Sequence, residues 1–326
     1  MMRNAFVRSL TELAAADSSV VLLTADLGFG CFDDFEKRFP EQFINVGIAE
    51  QNLIGIASGL AMSGYKVFVY SIGNFPTLRC LEQIRNDACY HELNVNIVAS
   101  GGGFTYGMLG MSHHATEDIA IMRALPKVTV VAPGTDWETR QATLALAELP
   151  GVGYLRIEKN GIKDPGSINN DFEIGKARVL RDGKDVALVS TGGILAESFK
   201  AADELLIHGI SCKIISMHTV KPLDCGAIIA VAKNFDIVMS IEEGNLSGGF
   251  GSAIAEAYLD AGITPHFFYR FGMRDKYSSI VGDQAYLRNH YGMDAGAIVD
   301  RVMKTRRHVQ LAFGSKLDEQ FPKING

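Results

Sequence analysis

Residues 43–75 read FINVGIAEQNLIGIASGLAMSGYKVFVYSIGNF. The part from Glu50 to Ser63 has helical length and is made mostly of small and aliphatic residues, and Lys66 to Tyr70 (KVFVY) is a short apolar run behind a glycine. A run that is apolar throughout suits a strand buried on both faces, as in a parallel sheet. The same rhythm continues on either side. Val20 to Thr24, Asn94 to Ala99, Val128 to Val131 and Tyr154 to Ile157 are further apolar runs, while Thr77 to Glu92 and Asp136 to Leu149 have helical length. The alternation predicts a mainly parallel sheet with helices on its faces. Two residues in the opening stretch stand out: Glu50, a carboxylate at the start of an apolar helix, and Phe75, a short distance beyond the strand.

Glu158 to Asp171 (EKNGIKDPGSINND) is polar and rich in turn formers, and we read residues 158–184 as a linker between a first domain, 1–157, and a second, 185–305. In the second domain the rhythm restarts. Strands are predicted at Asp185 to Ser190, Ser211 to Ile215, Ile237 to Ile241 and His266 to Tyr269, with helices at Ala196 to His208, Asp224 to Ala232 and Gly249 to Ala261. Residues 306–326 form a tail, either a docking arm or a frayed end. The glycines of STGG (190–193) and EEGNLSGGFGS (242–252) stand at strand-to-helix turns, where close packing or an anion would each use them.

The composition narrows the functions. With 31 Lys and Arg against 37 Asp and Glu, the net charge of -6 offers no basic field for a nucleic-acid backbone. The five cysteines are odd in number and carry no CxxC pair, which fits reduced thiols in the cytoplasm. The first residues have neither the shape of a secretion signal nor the run of about 18 apolar residues that a membrane span needs.

Four segments are expected to meet at the carboxyl ends of the first sheet's strands: ADLGFG (25–30), NVGIAEQN (45–52), YSIGNF (70–75) and GGGFTYGMLGMSHHATED (101–118). Taken singly, each residue has a plain structural reading. Glu50 suits a helix N-terminus, Phe75 suits a core, and His113 and His114 suit a surface loop. Taken in order, ADL, INVGIAEQN, GLAxxG, VYS, EQIRND, SHHATEDIAIMRALP and KPLD resemble the carboxy-terminal portion of the transketolase family over about residues 3 to 305. The resemblance implies two open α/β sandwich domains: a thiamine-diphosphate pyrimidine-binding domain and a smaller transketolase C-terminal-like domain.

It also implies roles. Glu50 would hydrogen-bond to N1′ of the cofactor's aminopyrimidine, an arrangement for which a charge-assisted bond is suited, and Phe75 would stack on that ring. Asp26 of the ADL segment would lie near the cofactor at a subunit interface. His113 would touch substrate oxygens and move a proton, with His114 as a further substrate contact. The pattern departs from the family in places. Ile72 and Leu78 replace aromatic residues, Gly101 replaces a donor-contacting histidine, and Leu109 stands where an aspartate reads a hydroxyl, leaving Tyr106 as a substitute donor contact. Gly30 replaces a serine of the phosphate site, whereas Arg156 matches an arginine that clamps the acceptor phosphate, its alternative being a salt bridge at a domain edge.

No GDG segment followed by a suitably placed Asn is present, and that signature holds Mg²⁺ and the diphosphate in the superfamily. The expected arrangement is therefore a split enzyme. An N-terminal alpha subunit would carry diphosphate and metal, this chain would be the beta subunit, and the assembly would be α2β2 with contact between beta subunits. The expected reaction moves a two-carbon ketol unit from a ketose to an aldose. The beta subunit of a 2-oxoacid dehydrogenase, a pyruvate–aldehyde carboligase and a non-catalytic scaffold are the alternatives.

Overall fold

The computed structural model describes residues 1–320 except 160, 167, 169–171 and 264, with side chains described as far as residue 307. The apolar runs become strands β1 (Val20–Thr24), β3 (Lys66–Ile72), β4 (Val95–Ser100), β5 (Val128–Val131) and β6 (Val152–Ile157), with β2 (Phe43–Asn45) added at one edge. All six are parallel. β1, β4 and β6 are buried along their whole length, as their mainly apolar sequences suit, with Asn96, Ser100 and Arg156 as the buried polar exceptions in β4 and β6. Helix α3 (Glu50–Met62) lays Leu53, Ile54 and Ala57 into the core, one face at helical spacing. On the other side of the sheet α1 (Met2–Ala16) packs against α6 (Asp136–Glu148), whose first turn is capped by Thr135 accepting from the Glu138 N–H.

The second domain has a five-stranded sheet in the order β12 (Phe267–Met273), β11 (Ile237–Asn245), β8 (Val186–Ser190), β9 (Cys212–Ser216), β7 (Arg178–Arg181). Helices α7 (Leu195–Ile207), α8 (Cys225–Asn234) and α9 (Phe250–Asp260) follow the predicted positions, and α10 (Gln284–His290) and α11 (Ala295–Gln320) close the domain. β7 falls inside the segment read as linker and pairs antiparallel with β9. The tail joins α11 as far as Gln320, and residues 321–326 lie outside the described residues, as do parts of the 158–171 segment. Among the described residues no helix is long and apolar enough to cross a membrane.

Two local differences from the predicted elements matter for the site. The segment from Thr77 to Glu92 is not one helix: a 3₁₀ turn (Leu78–Cys80) leads through the short α4 (Leu81–Gln83) into a π-helical stretch (Ile84–Cys89). The wider turn, seen in Tyr90 N–H donating to Arg85 O and Leu93 N–H to Ala88 O, lets Ile84, Ala88 and Cys89 all reach the core. A further strand, β10 (Thr219–Lys221), leaves the second half of the chain and pairs antiparallel with β5, completing a seven-stranded first sheet. The second domain is therefore tied into the sheet that carries the candidate site.

Candidate active site

The site lies at the carboxyl edge of the first sheet, where β1, β2, β3 and β4 release their loops side by side. After β1, Asp26 adopts a left-handed conformation (φ 54°) and is paired with Asn45 at the end of β2. Its N–H donates to Asn45 Oδ1 (2.9 Å), and Asn45 Nδ2 donates to Asp26 Oδ1 (3.3 Å). Asn45 Oδ1 also accepts from the Gly47 N–H (3.0 Å), so one amide side chain organises the turn that leads to Glu50.

Glu50 begins α3 and is 4% exposed. A helix N-terminus stabilises a carboxylate there, and Arg79 Nη1 pairs with Glu50 Oε2 at 2.8 Å. The Arg79 guanidinium also lies over the Phe75 ring, 4.5 Å from its centroid. Phe75 in turn meets the His113 ring edge-on at 5.2 Å. Glu50, Arg79, Phe75 and His113 thus form one continuous run of contacts. Arg79 was missed in the sequence, because Phe75 lies outside the segment read as a helix, 77–92, and no helical spacing joins the two.

His113 is half-buried, and its Nδ1 is 3.0 Å from Ser112 Oγ. Burial, helped by the neighbouring His114, holds the His113 imidazole below the usual histidine value of 6.5. Its neutral, proton-accepting form therefore persists to lower pH. For a reaction in which His113 acts as base, the acid limb of kcat/KM is expected below pH 6.5 and His114→Gln is expected to move that limb upward; pH–rate profiles of the two proteins check this.

The remaining predicted residues are placed differently. His114 is turned inward: it is buried, its ring stands edge-on to Phe104, and its Nε2 is 3.1 Å from Gly107 O. It holds the loop and does not share the space before His113. Tyr106 is half-buried, with its ring against the Cα of Gly101, where a Cβ would come within 2.2 Å. Leu109 is exposed.

Arg156 is buried. It is fully enclosed, because its position on β6 points it between the first sheet and the second domain. Its Nε donates to Asp118 Oδ2 (2.8 Å) and its Nη2 to the carbonyls of Ala115 (3.1 Å) and Glu243 (2.7 Å). Asp118 also accepts from the Tyr154 hydroxyl at 2.6 Å. A guanidinium buried and paired with Asp118 in this way, its Nη1 enclosed without a hydrogen-bond partner, supports the salt bridge at the domain edge.

A two-domain α/β chain with a buried carboxylate, an aromatic face and an imidazole on the carboxyl edge of a parallel sheet has the form of a ligand-binding enzyme domain. Comparison with known proteins gives the family. Residues 1–163 match the transketolase pyrimidine-binding domain and residues 175–298 the transketolase C-terminal domain. A putative transketolase C-terminal section of Methanocaldococcus jannaschii is 38% identical over 306 residues, covering 93% of this chain and 95% of that protein. An apulose-4-phosphate transketolase subunit of Phocaeicola vulgatus is 34% identical over 299 residues, 91% of this chain and 94% of that one. Among solved structures, a split-gene transketolase in an inactive beta4 tetramer superposes with a TM-score of 0.83 at 36% identity, covering 93% of this chain and 97% of that one. The chain belongs to the transketolase family, of which it carries the pyrimidine-binding and C-terminal domains.

The residues present suit the pyrimidine half of thiamine diphosphate. A nearly buried carboxylate beside a partly open aromatic face can hydrogen-bond and stack a planar, nitrogen-bearing ring. Among the described residues no group of three His, Cys, Asp or Glu side chains is placed to hold a metal.

Proposed function

We propose that this chain is the C-terminal, beta subunit of a split transketolase of the cytoplasm. It would transfer a two-carbon ketol unit from a ketose, which we take to be phosphorylated, to an aldose. The observation that carries this reading is the contact run from Glu50 through Arg79 and Phe75 to His113, together with what surrounds it. Phe29, Ile48, Leu78, Met108, Leu109 and Met111 are exposed on the loops of the same sheet edge. Such a collection of apolar side chains beside a polar site supports a protein partner on that edge. We assign to that partner, an N-terminal alpha subunit, the diphosphate and Mg²⁺ contacts, and to the whole an α2β2 assembly.

Thiamine diphosphate, when bound, supplies the carbanion chemistry that breaks and forms the carbon–carbon bond. This chain's residues would do the rest. Glu50, whose Oε2 pairs with Arg79, would hydrogen-bond the pyrimidine nitrogen and favour movement of its proton. Phe75 would stack on the pyrimidine, and Asp26, fixed by Asn45, would line the approach from β1. His113 accepts a proton from the donor's hydroxyl as the bond breaks and returns it to the acceptor's oxygen. Tyr106 is the residue we assign to a donor oxygen.

The test is reconstitution. Purified chain is expected to show no ketol transfer alone and to gain it, with thiamine diphosphate and Mg²⁺, when the alpha subunit co-purified from its native extract is added. Release of carbon dioxide from a 2-oxoacid donor by that pair, with no ketol transfer, would instead establish the dehydrogenase-like alternative.

A further inference from the structure

The loop that carries His113 is held at both ends by the second domain. Gly103 and Ala115 bridge its base, with Ala115 N–H donating to Gly103 O and Gly103 N–H to Ala115 O. On one side of that base, the Glu243 carboxylate of β11 accepts from the Phe104 N–H at 2.5 Å. On the other, the Asn245 N–H donates to Thr116 O at 2.7 Å, and Arg156 ties Ala115 O to the carbonyl of Glu243 itself. Glu243 is fully buried, and its carboxylate is itself fixed from behind: Arg288 Nε donates to Oε2, and Gln284 Nε2 donates to Oε1 at 3.0 Å and to Glu158 Oε2 at 3.0 Å.

The GGG run at 101–103 records how close this approach is. A Cβ on Gly103, which has φ +60°, would come within 2.3 Å of Glu243 Oε1, and one on Gly102 within 2.3 Å of Arg156 Nε. Only glycine lets the two buried charged side chains reach the loop's backbone. A charge-assisted bond from a carboxylate whose own orientation is set by Arg288 is a firm anchor for a loop that otherwise runs through short 3₁₀ turns.

We propose that Glu243, in the second domain, is a positioning residue for His113: its bond to the Phe104 N–H sets the base of the loop and so the place of the imidazole against Phe75. This rests on the reading of His113 as the group that handles the proton. It gives the second domain, which contributes none of the residues of the contact run, a part in the reaction.

The test uses Glu243→Ala, Glu243→Gln and Gly103→Ala, the last attacking the same contact from the loop side. Amide exchange over residues 103–116 is followed in the full chain, and kinetics in the reconstituted pair. Glu243→Ala and Gly103→Ala are expected to speed exchange in that segment and lower kcat about 10–100-fold, the scale of a misplaced catalytic group, with KM within about twofold. Glu243→Gln, whose amide oxygen still accepts from Phe104 but whose NH2 then faces Arg288, is expected to fall between wild type and Glu243→Ala. Adding Glu243→Ala to His113→Gln is expected to cost little more than His113→Gln alone, because both act on one group. Faster exchange with unchanged kcat overturns the proposal, as does a full further loss in the double variant. Wild-type kcat in His113→Gln by itself overturns instead the parent reading of His113, and Glu243 is then a packing residue only. Should Glu243→Ala fail to fold, Gly103→Ala and Glu243→Gln carry the same comparison.

Discussion

Glu50→Gln in the reconstituted enzyme is expected to lose about 10²–10⁴-fold in kcat, the range for removing a positioned proton-transfer group, while the affinity for thiamine diphosphate changes by less than about tenfold. Glutamine preserves the shape and the hydrogen-bonding reach of the side chain. What it removes is the charge, and the charge is what Arg79 pairs with and what moves electron density at a bonded ring nitrogen. Stopped-flow turnover and a calorimetric titration of the cofactor measure the two quantities separately. Turnover near wild type would remove Glu50 from the chemistry. An equal collapse of turnover and affinity would make it a binding residue. Arg79→Met separates the partner from the carboxylate: it takes the guanidinium away from the buried Glu50, so a change in cofactor affinity there reports how much of the site's electrostatics Arg79 sets.

The sheet was legible in the chain wherever a strand is long and buried on both faces, as at Val20–Thr24 and Val95–Ser100. β2 and β10 were not, because three residues carry no period and their pairing is decided by tertiary neighbours; β10 finds its partner, β5, about 90 residues back in the chain. The segment 77–92 failed as a single helix for a local reason. Composition and length do not distinguish an α-helical turn from a π-helical one, and the wider turn is selected by packing of Ile84, Ala88 and Cys89. In the candidate site, Glu50, Phe75 and His113 were singled out through order and resemblance, since no spacing rule joins loops that meet only after folding. Glu243 was visible as one of two adjacent glutamates in EEGN, but nothing in that run shows that the side chain crosses to Phe104 in the other domain.

Arg156→Leu is expected to destabilise the chain by about 3–5 kcal/mol, the cost of leaving a buried charge without its partner. The stranded group is Asp118, which is fully buried and would keep only the Tyr154 hydroxyl, with one of its oxygens unpartnered even in the intact pair. Two carbonyls, of Ala115 and Glu243, would lose their donor as well. The loss is read from the shift of the urea-unfolding midpoint. If Arg156 instead held a substrate phosphate, the same variant would unfold at the wild-type midpoint and show only a raised KM for phosphorylated acceptors. Tyr154-Leu155-Arg156-Ile157 puts the charge inside an apolar strand, where an arginine survives only if it is paired. A double-mutant cycle with Asp118→Asn makes the test specific. Neutralising Asp118 in the Arg156→Leu background is expected to cost much less than in the wild type, because the charge it removes no longer has a partner to lose. Equal costs in the two backgrounds would mean that the pair, although 2.8 Å apart, contributes nothing through its charges.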